Sequence, residues 1–240
     1  MLIRVISDIH ANLEALEAVL AHGTGEKADI TVCLGDIVGY GASPVECLDL
    51  VRGAAGIVLM GNHDAGACGI TSLEWFNDMG AKAIEWQRPL LREAGELEYL
   101  SGLELSSSRF EGLFLCHSYP PDPGSWHYVM HAHDAIRTHR AMPGLVCLVG
   151  HTHLPCAWSP EGSASFSDTG SLDSDATCII NCGSVGQPRD GDPRAAYLLL
   201  DMDRKSFRHV RVAYDVESAA SRILGAGLPR VLATRLFDGR

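Results

Sequence analysis

Five short apolar runs of this chain each lead into polar residues that can bind a metal ion. The runs are Leu2–Ser7, Ile30–Leu34, Ile57–Met60, Leu113–Cys116 and Leu145–Val149, and they are followed by Asp8-Ile9-His10, Gly35-Asp36, Gly61-Asn62-His63-Asp64, His117-Ser118 and Gly150-His151-Thr152-His153. Short apolar runs that alternate with amphipathic segments are typical of an α/β fold. Ligands of open α/β sheets bind beyond the carboxyl ends of the strands. We therefore expect these polar side chains to converge on one site.

The rest of the chain predicts helices between the early strands and hairpins in the second half. We expect further helices over Leu13–His22 (capped by Asn12), from Ser43-Pro44 onward, over Ser72–Arg92 with breaks near Gly80 and Pro89, and over Asp134–Met142, Val216–Leu224 and Pro229–Leu236. Ser106–Phe110 is expected to form a hairpin with Leu113–Cys116. Further strands are expected over Ala157–Phe166, Cys178–Asn181, Ala196–Asp201 and Phe207–Tyr214. Two packed sheets with outer helices would account for this order. Since no repeat or linker interrupts the pattern, residues 1–240 are expected to form a single domain.

Composition and charge exclude several classes of protein. Lys and Arg number 19 against 30 Asp and Glu, a net charge of −11, so a long nucleic acid is not an expected partner. No apolar run reaches the ~18 residues of a membrane span, so no membrane partner is expected. The eight cysteines include no C-x-x-C pair and several lie inside apolar runs, as buried reduced thiols do, which favours a cytoplasmic location. The sequence leaves the oligomeric state open.

The residues after the strands form a set of metal-ligand types. The set comprises two carboxylates, one amide and four imidazoles: Asp8, Asp36, Asn62, His10, His117, His151 and His153. Seven ligands exceed the needs of one tetrahedral ion and fit two ions that share a carboxylate. Imidazole combined with carboxylate suits manganese, iron, nickel or zinc better than magnesium alone, but this ligand chemistry does not choose among the four. We expect two divalent ions and take manganese as the first candidate, with iron, nickel or zinc as alternatives.

Two metal ions about 3.5–4 Å apart stabilise an in-line displacement at phosphorus and lower the pKa of a bridging water. The ligand set therefore predicts hydrolysis of a phosphate ester. Any one of these residues, taken alone, is more often a turn residue, a helix cap or a solvated histidine. It is their occurrence together, in order, that favours a metal site.

The motifs carry a resemblance to a known family. Ser7-Asp8-Ile9-His10-Ala11-Asn12, Gly35-Asp36-Ile37-Val38-Gly39-Tyr40-Gly41, Gly61-Asn62-His63-Asp64, His117, Gly150-His151-Thr152-His153 and the stretch from Asn181 to Asp190 are similar to those of the calcineurin-like metallophosphoesterases, in particular their small bacterial and archaeal phosphodiesterase-phosphatase branch. The resemblance covers nearly the whole chain. It implies an α/β fold that forms a four-layer αββα sandwich of two mixed β-sheets flanked by helices.

The resemblance also implies a role for each ligand. Asp8, His10 and His153 would hold one metal ion, Asn62, His117 and His151 the other, and Asp36 would bridge them. His63 would be the catalytic histidine that assists the leaving group and would not bind a metal ion.

One motif departs from the protein Ser/Thr phosphatase branch. That branch has Asp-Arg where this chain has Gly39-Tyr40. The Asp that supports the catalytic histidine and the Arg that binds phosphate are both missing, which argues against a phosphoprotein phosphatase of that type. Without that Asp, the sequence leaves open which residue orients His63.

We therefore expect a dinuclear-metal-dependent phosphoesterase that hydrolyses a small or nucleotide-like phosphodiester or phosphomonoester, by attack of a metal-bridging hydroxide with His63 assisting. The alternative is a catalytically weak metal-binding or protein-interaction module on the same fold. Such modules tend to lack the catalytic histidine, and His63 is present here. A nuclease is a third candidate, against which the acidic charge argues.

Three further residues are candidates for substrate binding. Asn12 either contacts substrate or only caps the first helix, and Tyr40 either lines the substrate site or only fills its loop. Arg189 either binds phosphate or forms a surface ion pair with Asp190 or Asp192.

A long loop over Ser118–Asp134 contains three prolines and is expected to cover the site. Its histidines, His127, His131 and His133, are expected to be solvated or packed in the loop rather than to bind a third metal ion.

Overall fold

The structure is a computed structural model that describes residues 1–23, 25–172 and 177–240. Its strands are β1 (Leu2–Ile6), β2 (Ile30–Cys33), β3 (Ile57–Val58), β4 (Ser106–Ser107), β5 (Leu113–Cys116), β6 (Val146–Val149), β7 (Cys156–Trp158), β8 (Ala164–Ser165), β9 (Thr169–Ser171), β10 (Ile179–Asn181), β11 (Ala195–Asp201) and β12 (Ser206–Val212). Its α-helices are α1 (Leu13–Gly23), α2 (Pro44–Ala54), α3 (Asn62–Cys68), α4 (Asp78–Glu93), α5 (Glu96–Ser101), α6 (Ala132–Ala141), α7 (Val216–Gly225) and α8 (Arg230–Asp238).

The strands form two six-stranded mixed sheets. The first has the order β3-β2-β1-β11-β12-β9 and the second the order β4-β5-β6-β10-β7-β8. In the first sheet β1, β2 and β3 are parallel, while β11 pairs antiparallel with β1. In the second sheet β5, β6 and β10 are parallel and β7 pairs antiparallel with β10. The parallel strands therefore lie at the centre of the second sheet and at one side of the first.

Alternation along the strands builds the layers, because successive side chains point to opposite faces. Val5 joins a buried cluster with residues of both sheets, whereas its neighbour Ile6 packs with Leu16 of α1. In the second sheet Leu148 belongs to the cluster between the sheets, while Cys147 packs on the outer side with Ala135 of α6. The predicted four-layer αββα sandwich is confirmed.

The predicted helical region over Ser72–Arg92 differs most from expectation. A 3-10 turn over Leu73–Trp75 is followed by α4, which starts at Asn77 as its side-chain cap and runs through Pro89 without a break. An internal proline costs a helix about 3 kcal/mol. The buried face of α4, which includes Ile84 and Leu91, offsets that cost through tertiary packing.

Most of the remaining elements lie close to their predicted bounds, but α3, α5 and β9 were not predicted. The expected strand over Ala157–Phe166 is instead a hairpin of β7 and β8. The side chain of Ser43 makes no cap bond at the start of α2, whereas Asn12 does cap α1, through its Oδ1 and the Ala15 N–H. Among the described residues, no helix combines the length and the apolar character needed to cross a membrane.

Candidate metal centre

The polar residues after the parallel strands lie close together beyond the carboxyl ends of those strands, as predicted. Asp8 follows β1, Asp36 follows β2, His117 follows β5 and His151 follows β6. All four are buried, as are His10 and His153 two residues further along their loops. They fall into two groups that share one edge of the sandwich.

The first group, cluster A, consists of Asp8, His10 and His153. His153 Nε2 lies 3.2 Å from Asp8 Oδ1 and 3.1 Å from His10 Nε2. A main-chain carbonyl accepts a hydrogen bond from Nδ1 of each imidazole: Val38 O, at 3.0 Å, for His10, and Gln187 O for His153. Because a carbonyl can only accept, each Nδ1 carries the ring proton and each neutral ring presents a bare lone pair on Nε2. Two lone pairs that face each other at 3.1 Å repel unless a cation lies between them.

The second group, cluster B, consists of Asp36, His117 and His151. His117 Nε2 lies 3.3 Å from Asp36 Oδ2 and 3.2 Å from His151 Nδ1. His151 donates its Nε2–H to the carbonyl oxygen of Trp126 at 2.9 Å. Its Nδ1 therefore carries the lone pair and points toward the site. His117 Nδ1 is buried and has no hydrogen-bond partner in the described part of the chain.

Asp36 of cluster B also faces cluster A. Its Oδ2 is 3.3 Å from His117 Nε2 and 3.7 Å from His10 Nε2. Asn62, which follows β3, has a buried Oδ1 without a hydrogen-bond partner among the described residues. Donor atoms about 3 Å apart are spaced like neighbouring ligands of an ion with bonds of about 2.1 Å. Carboxylates, imidazole lone pairs and an orphaned amide oxygen thus fit divalent metal ions.

The charges of the clusters favour cation binding. Burial raises the pKa of Asp8, but the neighbouring His153 and His117 outweigh it and hold that pKa below its usual value. Burial lowers the pKa of His151 to about 3. His117 is the exception, because Asp36 and Asp8 outweigh its burial and raise its pKa to about 9. At neutral pH the site therefore presents ionised carboxylates and mostly neutral imidazoles.

The ligands lie on strained backbone. Left-handed φ angles occur at Asp8 (53°), His10 (51°), Asp36 (53°), His151 (68°) and His153 (63°), a region that non-glycine residues rarely adopt. Glycine is needed at Gly150, where a Cβ would lie 2.4 Å from Asp8 Oδ2. Such strain is typical of functional sites, where surrounding bonds hold the backbone in place.

Two buried residues that sequence reasoning missed hold the loop after β2. Asp64 accepts main-chain N–H bonds from Gly61, Asp36, Ile37 and Val38, at 3.0, 2.8, 3.0 and 3.2 Å. Gln87 of α4 accepts from the Gly39 N–H and donates to the Gly41 carbonyl, both at 2.7 Å. Asp64 was visible as the last residue of the Gly-Asn-His-Asp motif, but the helical position of Gln87 gave no signal.

His63 is oriented by packing rather than by a carboxylate. Its ring centre lies 4.6 Å from that of Tyr40, 4.8 Å from that of His10 and 5.0 Å from that of Phe76. Gly39 leaves room for it, since a Cβ there would lie 2.2 Å from His63 Nδ1. That Nδ1 is buried and has no hydrogen-bond partner among the described residues. Ring contacts therefore take the place of the supporting Asp of the Ser/Thr phosphatase branch.

The three candidate substrate residues have different surroundings. The Asn12 amide is engaged by the Ala15 N–H, the Gly186 carbonyl at 2.8 Å and the Tyr214 hydroxyl, so the cap is formed and a substrate contact stays a prediction. Tyr40 is buried beside His10 and His63.

Arg189 does not form the surface ion pair considered above. Asp190 pairs with Arg211 and Asp192 pairs with Arg194. The Arg189 Nη2 donates to Gln187 Oε1 at 3.0 Å instead. The ion-pair interpretation is therefore wrong, and a substrate contact stays a prediction.

The loop over residues 118–134, which we call the strap, covers cluster B. Besides the Trp126 carbonyl, it supplies Tyr128, whose ring is stacked on His151 at 4.0 Å between centres. The strap histidines have local partners. His127 Nε2 is hydrogen-bonded to Asp134 Oδ1 at 3.0 Å, His133 Nε2 lies 2.9 Å from the same oxygen, and His131 stacks on His133. The length of the loop predicted a cover, but no sequence signal singled out Trp126 or Tyr128.

Comparisons with known proteins establish the family. A sequence model of the calcineurin-like phosphoesterase superfamily domain matches residues 1–205. The chain is 39% identical, over 100% of its length and 98% of the relative's, to an uncharacterized protein of Methanocaldococcus jannaschii. It belongs to the calcineurin-like phosphoesterase superfamily.

Two solved structures are similar to this chain over its whole length. A metallophosphoesterase from Sphaerobacter thermophilus matches with 39% identity and a TM-score of 0.87, over 100% of this chain and 99% of that one. A hypothetical protein from Pyrococcus horikoshii OT3 matches with 18% identity and a TM-score of 0.80, over 100% and 98% of the two chains, which shows a shared fold. The family and its clustered His and Asp residues support a metal-dependent phosphoesterase.

Proposed function

We propose that this chain is a dinuclear-metal-dependent phosphoesterase that hydrolyses a small or nucleotide-like phosphodiester or phosphomonoester. One observation carries the proposal: His10 and His153 direct lone pairs at each other across 3.1 Å beside Asp8, and Asp36 links this pair to His117 of a second cluster.

In the proposed site each cluster would hold one divalent ion, with manganese expected first. Asp8, His10 and His153 would hold one ion, His117, His151 and Asn62 the other, and Asp36 would be shared by both. When bound, the two ions supply activation of a water nucleophile and neutralise charge on the phosphate oxygens.

The protein groups orient the ligands and the substrate. The Val38, Gln187 and Trp126 carbonyls fix three imidazoles in the tautomers that face the site. His63, which packs against His10 and Tyr40, would give a ring N–H to the leaving oxygen and so stabilise its charge.

The test is the rate of hydrolysis of p-nitrophenyl phosphate and bis-p-nitrophenyl phosphate by the manganese-loaded protein. Because His63 and Asp36 act at the reacting atoms and at both ions, His63→Ala and Asp36→Asn are each expected to lower kcat by about 1,000-fold. His139→Ala, which removes a histidine of α6 outside both clusters, is the matched control and is expected to retain the rate.

One outcome of this test would support the proposed function and another would contradict it. Loss of activity in both variants, with the control active, supports the proposal, and the preferred ester tells diester from monoester chemistry. Bound metal without turnover on either ester would contradict it and indicate the catalytically weak metal-binding module.

A further inference from the structure

Two arginines lie next to the ring of Tyr40. The guanidinium carbon of Arg189 lies 5.8 Å from the ring centre, and that of Arg235 lies 6.0 Å from it. Both side chains are half-buried. In the described part of the chain, neither guanidinium forms an ion pair with a carboxylate side chain, since Asp190 and Asp192 pair with other arginines.

Among the described residues, the polar contacts of the two guanidinium groups leave some of their donors without a partner. Arg189 donates from Nη2 to Gln187 Oε1, and its Nε is buried without a hydrogen-bond partner among the described residues. Arg235 donates from Nε to the main-chain oxygen of Arg240. A buried guanidinium N–H without an acceptor costs free energy that a bound anion would recover.

This pair of cations is one aromatic ring away from the metal centre. The Tyr40 ring lies 4.6 Å from the His63 ring and 4.7 Å from the His10 ring. Tyr40 is itself held in a left-handed conformation, with φ of 53°. An anion bound by the arginines would therefore be within reach of a molecule whose phosphate occupies the metal centre.

Arg235 is held in place by the packing of α8. Leu232 and Leu236, on either side of it, are buried against Tyr40 in one apolar cluster. Burial and the charge of Arg189 both lower the pKa of Arg235. Two half-buried cations beside the same ring repel each other, and this repulsion favours binding of an anion near them. Phosphate suits such a pair, because guanidinium groups bind phosphate oxygens in a bidentate manner.

We propose that Arg189 and Arg235 form an anion site that binds a second phosphate group of the substrate, distinct from the phosphate hydrolysed at the metal centre. The inference rests on the proposed function and narrows it to substrates with two phosphate groups, such as nucleotides phosphorylated at two positions. Arg235 lies beyond residue 205, where the family match ends, so this part of the site belongs to the C-terminal helices.

The test compares two chromogenic esters that differ by one phosphate. They are the p-nitrophenyl ester of thymidine 5′-phosphate and the same ester with a 3′-phosphate. The manganese-loaded protein is expected to show a KM about tenfold lower for the 3′-phosphorylated ester. Arg189→Met and Arg235→Met are each expected to remove most of that difference in KM and to change kcat less. Arg230→Met, which removes an exposed arginine from the same helix, is the control and is expected to keep the difference.

A binding measurement separates this inference from the proposed function. Calorimetric titration of the manganese-loaded protein with thymidine 3′,5′-bisphosphate and thymidine 5′-monophosphate is expected to show about tenfold tighter binding of the bisphosphate. The same titration with thymidine 5′-diphosphate tells whether the second phosphate is adjacent to the first or separated from it by the sugar.

The outcomes are distinct. A preference that both variants lose and the control keeps supports the anion site, even if neither ester is hydrolysed and the proposed function fails. Hydrolysis of both esters with equal KM, together with equal binding of the nucleotides, would overturn the anion site and leave the phosphoesterase in place. A preference that persists in both arginine variants would also overturn it.

Discussion

Clusters A and B contain the same ligand types and are supported in different ways. In cluster A both imidazoles donate to main-chain carbonyls of the loops that follow strand ends, Val38 O and Gln187 O. In cluster B only His151 donates to a main-chain carbonyl, and that carbonyl, Trp126 O, belongs to the strap. His117 Nδ1 has no hydrogen-bond partner among the described residues. Cluster A is thus oriented by the sandwich itself and cluster B partly by a surface loop.

The difference teaches that metal affinity can be set by residues that bind no metal ion. The hydrogen-bond partner of a ligating imidazole fixes its tautomer and direction. Because the strap is a connection between elements, it is easier to displace than a loop anchored by Asp64. We expect the ion in cluster B to be the more weakly bound of the two.

Asp36→Asn should have the largest effect, because this carboxylate contacts both clusters. We expect the variant to retain fewer than two manganese ions per chain and to hydrolyse bis-p-nitrophenyl phosphate about 1,000-fold more slowly. Metal analysis after gel filtration, together with the rate, checks this. A variant with two ions per chain and a rate within tenfold of wild type would show that Asp36 does not link the clusters.

Asp64→Ala should disturb both clusters through the backbone that carries Asp36. Four main-chain N–H groups would lose their acceptor, so we expect the free energy of unfolding to fall by about 3 kcal/mol. Urea unfolding measures it, with Asp49→Ala, an exposed position of α2, as the control that should change by less than about 0.5 kcal/mol. Equal stability of the two variants would mean that the loop does not depend on Asp64.

Tyr128→Ala should affect metal affinity at cluster B and not at cluster A, because the lost ring stacks on His151 alone among the candidate metal ligands. We expect the affinity for the weaker manganese ion to drop about tenfold and that for the tighter ion to stay unchanged. Calorimetric manganese titration resolves the two, with Met130→Ala, an exposed residue of the same strap, as the control. An equal loss at both sites would contradict the assignment of the strap to cluster B.

The metal-free protein should lose stability below neutral pH. Burial lowers the pKa of His63 to about 4 and that of His151 to about 3, whereas both titrate near 6.5 when unfolded. Between pH 6.5 and 4 the unfolded state therefore binds more protons, and each histidine removes stability by about 1.4 kcal/mol per pH unit as the pH falls.

Urea unfolding in the presence of a chelator at pH 4.5, 5.5 and 6.5 tests this, and His63→Phe should reduce the pH dependence by about one histidine. His117 acts in the opposite direction: its raised pKa, about 9, gives stability that is present below pH 6.5 and lost as the pH rises through 9. An unchanged slope in His63→Phe would show that His63 is not buried in its neutral form.

The candidate metal ligands could be predicted from the sequence because each lies within four residues of the end of a strand. The carboxyl ends of parallel strands meet at one edge of a sheet, so residues such as Asp8 and Asp36 converge whatever the details of packing. Helix α4 shows the limit of such local reasoning. Its Pro89 predicts a break, yet the buried face of the helix outweighs the lost hydrogen bond.

The hydrogen-bonding groups that hold the candidate ligands and their loops in place could not be predicted from the sequence. The Trp126 carbonyl that orients His151 is a main-chain group, which every residue possesses, so no residue type marks it. Gln87 lies on a helical face where a polar residue gives no indication that it bonds Gly39 and Gly41.

The sequence by itself determined the fold class and the set of candidate metal-binding side chains. Both follow from short-range order, that is, from the apolar runs and the residues that come after them. Tertiary structure alone decided how those side chains are oriented and what surrounds them. Tyr40 and Arg235 are brought together only when α8 packs on the sandwich. Such contacts depend on the burial of apolar faces that are far apart in the chain. The sequence pattern of an amphipathic helix does not distinguish an arginine that faces water from one that faces a binding site.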